Sequence, residues 1–197
     1  MQCLWILRDD APDDAIQVIY PDGRCELLAE LGVPLRFHGP DGEIRADQAL
    51  AFAGQQLGPI RLQATGPVHC IGVRLTAASG RLIAGEQLPA LRDRAPDLRT
   101  LDAGFAEAFH AAATACVDAE SPEPLWALLR QRCAAFAADA LVERAMESLD
   151  AADGDLRIAA LAKALGCSLR TLQARFLAAV GMTPKEYARV RRLQALL

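Results

Sequence analysis

Arg170 and Gln173 lie in the stretch SLRTLQARF, and they are the residue types that read base edges. A guanidinium forks onto two acceptors of guanine, and a glutamine amide both donates to and accepts from adenine. Leu169 and Ala174 flank them as outward positions, and Ser168 precedes them as a residue able to cap a helix. Further on, Lys185, Arg189, Arg191 and Arg192 supply cations suited to phosphates, which fix position without reading sequence. Residues 155–197 hold eight Lys/Arg against two Asp/Glu, a balance of +6, whereas the preceding 154 residues hold thirteen against twenty-three, a balance of −10. A mildly acidic chain that gathers its positive charge at one end offers that end to a polyanion.

The elements needed to present these side chains can be read from spacing. Ile158, Leu161, Ala162 and Leu165 fall at helical intervals and predict a helix over about 156–165. Gly166 can take the left-handed conformation that ends it. Ser168 then opens a second helix over about 169–179, with Leu172 and Phe176 inward. After Gly181, Thr183 and Pro184 read as a cap and a first-turn proline starting a third helix. Two short helices around a glycine turn, followed by a basic helix, make double-stranded DNA the expected polyanion. A helical hairpin with a merely solvated basic face is the plainer alternative.

Ahead of this module the chain changes character. Residues 1 to about 85 are punctuated by PDG at 21–23, GPDG at 39–42, and GP at 58–59 and 66–67. Between them lie short apolar runs, several alternating with the period of half-buried strands: Ile16, Val18 and Tyr20 on one side, Leu62 with Ala64, and Val68, Cys70 and Gly72 opposite His69, Ile71 and Val73. Strands recurring about every ten residues predict a small antiparallel barrel or sandwich. A short helix is expected near 78–84. Helical spacing then runs over about 101–149, broken by SPEP at 121–124, where serine caps and proline enters the first turn. DAADGD at 150–155 reads as the boundary. The expected fold class is α+β: a β-rich sensor or dimerisation part over 1–150 with attached helices, then an all-α helix–turn–helix module over 155–197.

The run L-A-x-x-L-G-x-S-x-R-x-L-x-x-x-F-x-x-x-x-G-x-[ST]-P-x-x-Y-x-x-x-x-R-L is present as Leu161–Ala162, Leu165–Gly166, Ser168, Arg170, Leu172, Phe176, Gly181, Thr183–Pro184, Tyr187 and Arg192–Leu193. It resembles the first half of the AraC-type DNA-binding domain. More loosely, VIYPDGRCELL at 18–28, GPVHCIGVRLTAASG at 66–80 and LP-x-L-x-D at 88–93 resemble the sensor region of one AraC subgroup. The resemblance implies a transcription regulator whose N-terminal β-rich domain senses an effector or dimerises. It also implies two helix–turn–helix units joined by a long helix, of which only the first and the start of the linking helix are expected here. Ala174 departs from the family, which often carries arginine there.

Other chemistry finds less support. Cys25, His69 and Cys70 are metal-ligating types, but adjacent strand residues point to opposite faces, and His38 and His110 have no partner at metal spacing. No Ser/His/Asp order, Gly-rich phosphate loop or HExxH occurs, so neither an enzyme nor a cofactor or metal is expected. Trp5, Tyr20, Phe37 and Phe52 are the candidate lining of a small-molecule pocket, although strand aromatics also simply fill cores. Phe105, Phe109 and Cys116 form a stripe for either a homodimer surface or internal packing. The six cysteines are scattered, the opening MQCLWILRDD does not read as a signal peptide, and no apolar run approaches the ~20 residues of a membrane span. A cytoplasmic protein without a membrane partner is expected. Two rival readings are a ligand-binding module whose helical end docks protein, and a β-barrel enzyme.

Overall fold

The structure, a computed structural model, describes residues 3–39, 42–134 and 136–197. Pro40 and Asp41, the middle of the GPDG turn, lie outside the described residues, as do Met1 and Gln2 of the opening segment. Among the described residues, eight strands form two antiparallel four-stranded sheets. The first sheet orders β1 (Cys3–Asp9), β8 (Val68–Arg74), β3 (Glu26–Glu30) and β6 (Leu50–Ala53); the second orders β2 (Ile16–Ile19), β7 (Ile60–Gln63), β4 (Arg36–His38) and β5 (Ile44–Ala46). The expected barrel does not close among the described residues. Each sheet keeps its two edge strands, and those of the second sheet are only three or four residues long. Strands that short cannot wrap to meet the first sheet.

Alternation decides what each face of the first sheet meets. Leu27 and Ala29 of β3, Ile71 and Val73 of β8, and Leu50 and Phe52 of β6 point away from the second sheet and are buried. They are covered by α1 (Arg81–Ala84), α2 (Ala103–Asp118) and α3 (Glu123–Cys133), which contribute Ile83, Phe105, Phe109, Cys116, Leu125 and Leu129 to one continuous core. The stripe at Phe105, Phe109 and Cys116 therefore packs within the chain. Asp102 caps α2 by accepting from the Phe105 N–H at 3.0 Å. SPEP opens α3 with Pro124 in its first turn, but the cap position falls on Pro122 and not on the expected serine; Ser121, one residue earlier, accepts from the Glu123 N–H at 3.3 Å.

A second core is built from α4 (Ala140–Ala151), α5 (Ile158–Ala164), α6 (Leu169–Val180) and α7 (Pro184–Gln194). Val142, Ala145 and Leu149 of α4 pack with Leu161, Leu172, Phe176, Val180 and Tyr187. By packing, α4 goes with the last three helices, whereas the sequence reading groups it with the helices of 101–149. DAADGD is accordingly an internal turn of this bundle. Gly154, at φ +75, passes so close to the Ala188 carbonyl that an added Cβ would lie 2.1 Å from it.

The two cores are not separated by a free linker. Ala77, just beyond β8, is fully buried in the second core. Leu88, in a 3₁₀ stretch (Gly85–Leu91), packs against Gly181, where an added Cβ would lie 2.9 Å from its side chain. Arg92 pairs with Glu186 at 3.1 Å, and Gln194 donates to the Pro21 carbonyl at 2.8 Å. Phe52, a candidate pocket residue in the sequence, lies in the first core with no exposure. Phe52→Ala is expected to cost about 3–5 kcal/mol in urea unfolding, whereas Tyr20→Ala, at a half-exposed position, should cost well under half of that.

Candidate functional site

In the last helices, local sequence and geometry agree closely. α5 ends at Gly166, φ +72, where the N–H groups of Gly166 and Cys167 return to the carbonyls of Lys163 and Ala162 at 3.1 and 3.0 Å. These bonds satisfy carbonyls that the helix end leaves without partners. Ser168 then caps α6, its Oγ accepting from the Thr171 N–H at 3.0 Å. Leu161, Ala162, Leu172 and Phe176 are buried between the two helices. The opposite side of α6 is open: Ser168, Leu169, Arg170, Thr171, Gln173 and Ala174 are all exposed. Apolar anchoring behind and polar groups in front hold Arg170 and Gln173 out from the bundle near the positive end of the helix dipole.

The next cations divide. α6 ends at Gly181, φ +84, and α7 opens with a complete capping box between Thr183 and Glu186, with Pro184 in its first turn. Lys185 and Arg189 are exposed on α7. Arg189 borders a groove with Pro21 and Leu57, on the side of the helix that looks toward the β sheets. Arg191, expected at a phosphate, instead turns inward. Its Nε lies 2.9 Å from Asp150 Oδ1, an ion pair outside hydrogen-bond angles. The same oxygen accepts from the Tyr187 hydroxyl at 2.8 Å. Burial, with Asp150 alongside, pushes the Tyr187 phenol up to about 12. Asp150, Tyr187 and Arg191 thus tie α4 to α7, and Arg192 adds a bond to the Gly154 carbonyl at 2.7 Å. Arg175 is likewise occupied: it grips Asp139, the cap of α4, at 2.6 and 2.7 Å.

The second notable feature is a cleft between the two sheets. Trp5 and Leu7 of β1, Leu28 of β3, Phe37 of β4 and Ile60 and Leu62 of β7 form its apolar walls, and it encloses about 180 Å³. It continues into a wider compartment of about 420 Å³ that shares Leu7, Ile19, Leu35 and Leu62. Three of the four aromatic candidates, Trp5, Tyr20 and Phe37, line the cleft; Phe52 is on the far face of the first sheet. The Trp5 indole lies across Gly72, where any Cβ would come within 2.1 Å of the ring. Its Nε1 donates to Glu26 Oε1 at 3.3 Å. Glu26 also takes Arg74 at 2.8 Å, and Asp22 takes the same guanidinium at 3.3 Å. Arg45 stacks over Phe37, 4.5 Å from the ring centre.

Glu30 is the acid the sequence reading missed. It borders the cleft, is only 8% exposed, and its Oε2 has no hydrogen-bond partner among the described residues. Burial first, and then the Asp47 carboxylate, push its carboxyl from an ordinary 4.5 up to about 7, against a hydrogen bond from the Cys70 thiol. Cys70 and Cys25 are themselves held as thiols, pushed far up by burial. His69 lies on the other face of β8 from Cys70, and no group of three metal-ligating side chains forms among the described residues. No helix there is long and apolar enough to cross a membrane.

Residues 1–97 match a family model described only as a domain of unknown function, DUF6597. No curated protein matches the chain. Among solved structures, the AraC-like transcriptional activator CuxR aligns over 98% of this chain and 76% of its own, at 16% identity and a TM-score of 0.35. ToxT from Vibrio cholerae aligns over 95% of this chain and 98% of its own, at 8% identity and a TM-score of 0.32. Unsaturated fatty acid-bound ToxT from Vibrio cholerae strain SCE256 aligns over 96% of each chain, at 8% identity and a TM-score of 0.31. All three likenesses are distant.

The raised Glu30 carboxyl has a consequence for stability. Between pH 4.5 and about 7 the folded chain keeps a proton that the unfolded chain releases, so stability falls as pH rises through that window. Glu30→Gln abolishes this loss. The unfolding free energy of the variant relative to wild type should therefore rise by on the order of 3 kcal/mol across the window, as read from urea titrations at its two ends.

Proposed function

We propose that the chain is a sequence-specific DNA-binding transcription regulator, with α6 as the helix that enters the major groove. The observation that carries this reading is the exposure of Ser168, Leu169, Arg170, Gln173 and Ala174 on one end of α6, with Leu172 and Phe176 anchored behind them. A helix–turn–helix presents bases with that N-terminal half. Arg170 and Gln173 take base edges. Lys185 takes phosphates, while Arg189 faces the β sheets. Arg191 is excluded from that role by its pairing with Asp150.

The β-rich part is proposed as the sensor, with the inter-sheet cleft as its effector site. A route from cleft to DNA is short. Asp22 holds Arg74 at the cleft, its neighbour Pro21 accepts from Gln194, and Gly23 packs on Tyr187, its position leaving a Cβ only 3.1 Å from that ring. A single turn thus touches both the cleft and α7. An occupant that rearranges Asp22 and Arg74 alters the seat of α7 and, through the shared core, the presentation of α6. This is allostery by differential contact.

The test is binding to duplexes selected from a random pool by the purified chain, measured by fluorescence anisotropy over a range of salt. Arg170→Ala should cost about 1–3 kcal/mol on the selected duplex and little on random DNA. Lys185→Ala should weaken both alike and flatten the salt dependence by about one unit of slope. Equal losses on both duplexes for Arg170→Ala, or no duplex enriched at all, would reject α6 as the reading helix. Gln194→Ala should leave sequence preference intact while reducing any effector-induced change in affinity.

A further inference from the structure

We infer that the inter-sheet cleft takes a small molecule with an apolar body and a single basic nitrogen, whose N–H groups meet Glu30. This rests on the reading of the cleft as an effector site and supplies the chemical class. Of the other charges bordering the cleft, Arg24 has no carboxylate partner among the described residues and lies toward Tyr187, while those beside Glu30 are engaged or acidic. Arg74 is shared by Glu26 and Asp22, Glu26 also holds the Trp5 indole, and Arg45 lies over Phe37. The buried polar atom of the lining left without a partner among the described residues is a carboxyl oxygen, Glu30 Oε2, on a residue 92% removed from solvent. Once ionised, Glu30 is a buried acceptor that is costly until a donor reaches it, and a cationic donor gives the stronger bond. Around Cys70 an anionic ligand meets Glu26, Glu30 and Asp47 together, whereas the unpaired Arg24 lies toward Tyr187. The walls of Trp5, Leu7, Leu28, Phe37 and Leu62 fit an apolar body, and the aromatic rings also favour a cation beside them.

Protonation adds a signature. The groups facing Glu30 are Cys70 from β8, Asp47 from the stretch between β5 and β6, and Glu26 four residues back on β3; the two thiol and carboxyl neighbours on other elements both bear on its titration. Since the empty site holds its proton up to about pH 7, an ammonium ligand must displace that proton on binding. Its affinity should fall as pH is lowered through that value.

The experiment uses the whole chain carrying Trp126→Phe, so that fluorescence reports Trp5 alone. It is titrated with hexylamine and 2-phenylethylamine, each beside the alcohol and the carboxylic acid of matching shape. Saturable binding of at least one amine is expected, at least tenfold tighter than its alcohol and acid. It should weaken at least tenfold in Glu30→Gln and as pH is lowered through about 7. An acid or alcohol that binds as well as its amine, an amine affinity unchanged by Glu30→Gln, or failure of both amines overturns the inference. Circular dichroism establishes that the variants are folded, and the ligand series itself requires no change at Glu30. Duplex binding is read separately: amine failure with duplex recognition intact removes only this inference, whereas absence of duplex recognition with amine binding intact removes only the regulator reading.

Discussion

The strand β8 and its continuation through residue 91 are the spine on which everything else depends. Alternate residues of β8 point into two environments: Ile71 and Val73 into the helix-covered core, Cys70, Gly72 and Arg74 toward the cleft. The chain then runs without a free linker into Leu75 of the first core, Ala77 of the second, and Leu88 against Gly181. A one-residue slip of β8 would exchange its two faces. It would put Arg74 and Cys70 against the helices and Ile71 against Glu26. The register is therefore held by both layers at once, and with it the position of α6 relative to the sheets.

The two faces of the first sheet illustrate how burial without filling differs from packing. The helix side is closed by large apolar side chains, among them Phe52, Phe109, Leu125 and Leu129, with no exposure. The cleft side is covered by a second sheet of short strands that leaves space. There the polar groups are partly withdrawn from solvent, so their pairing decides the chemistry: Glu26 and Asp22 neutralise Arg74, while Glu30 retains its proton. In a low-dielectric surrounding such groups answer strongly to a charge introduced beside them.

Much of the C-terminal module was legible because helix signals are local. Gly166, Ser168, Gly181 and the Thr183–Pro184 pair each act within one turn of the chain, and the helices begin and end at them. The strands of the first part were legible for the same reason, through period-2 alternation. What could not be read was what covers each face. Glu26, Leu28 and Glu30 alternate with Leu27 and Ala29, a pattern that describes a strand with a solvent face; only the second sheet makes it the wall of a cleft. Phe52 and Phe37 carry the same ring in the same kind of strand, and the register alone sends one to the core and the other to the cleft. Arg191 and Arg189 are both arginines of one basic helix, yet Asp150, some forty residues away in sequence, claims the former. The grouping of α4 failed on the same ground, since its apolar stripe at Val142, Ala145 and Leu149 fits either neighbour and only tertiary contact decides.

The burial of Ala77 among the last four helices bears on how this chain can be divided. A fragment beginning at the cap of α4 would lack Ala77, Leu88 and Arg92, leaving Gly181 and the apolar flank of α6 uncovered and Glu186 without its cation. Grafting such a piece onto a foreign sensor would carry a raw, sticky surface with it. A cut before β8 would in turn take an inner strand out of the first sheet, so neither place leaves both cores covered, and the boundary that looks natural along the chain is a poor place to exchange parts.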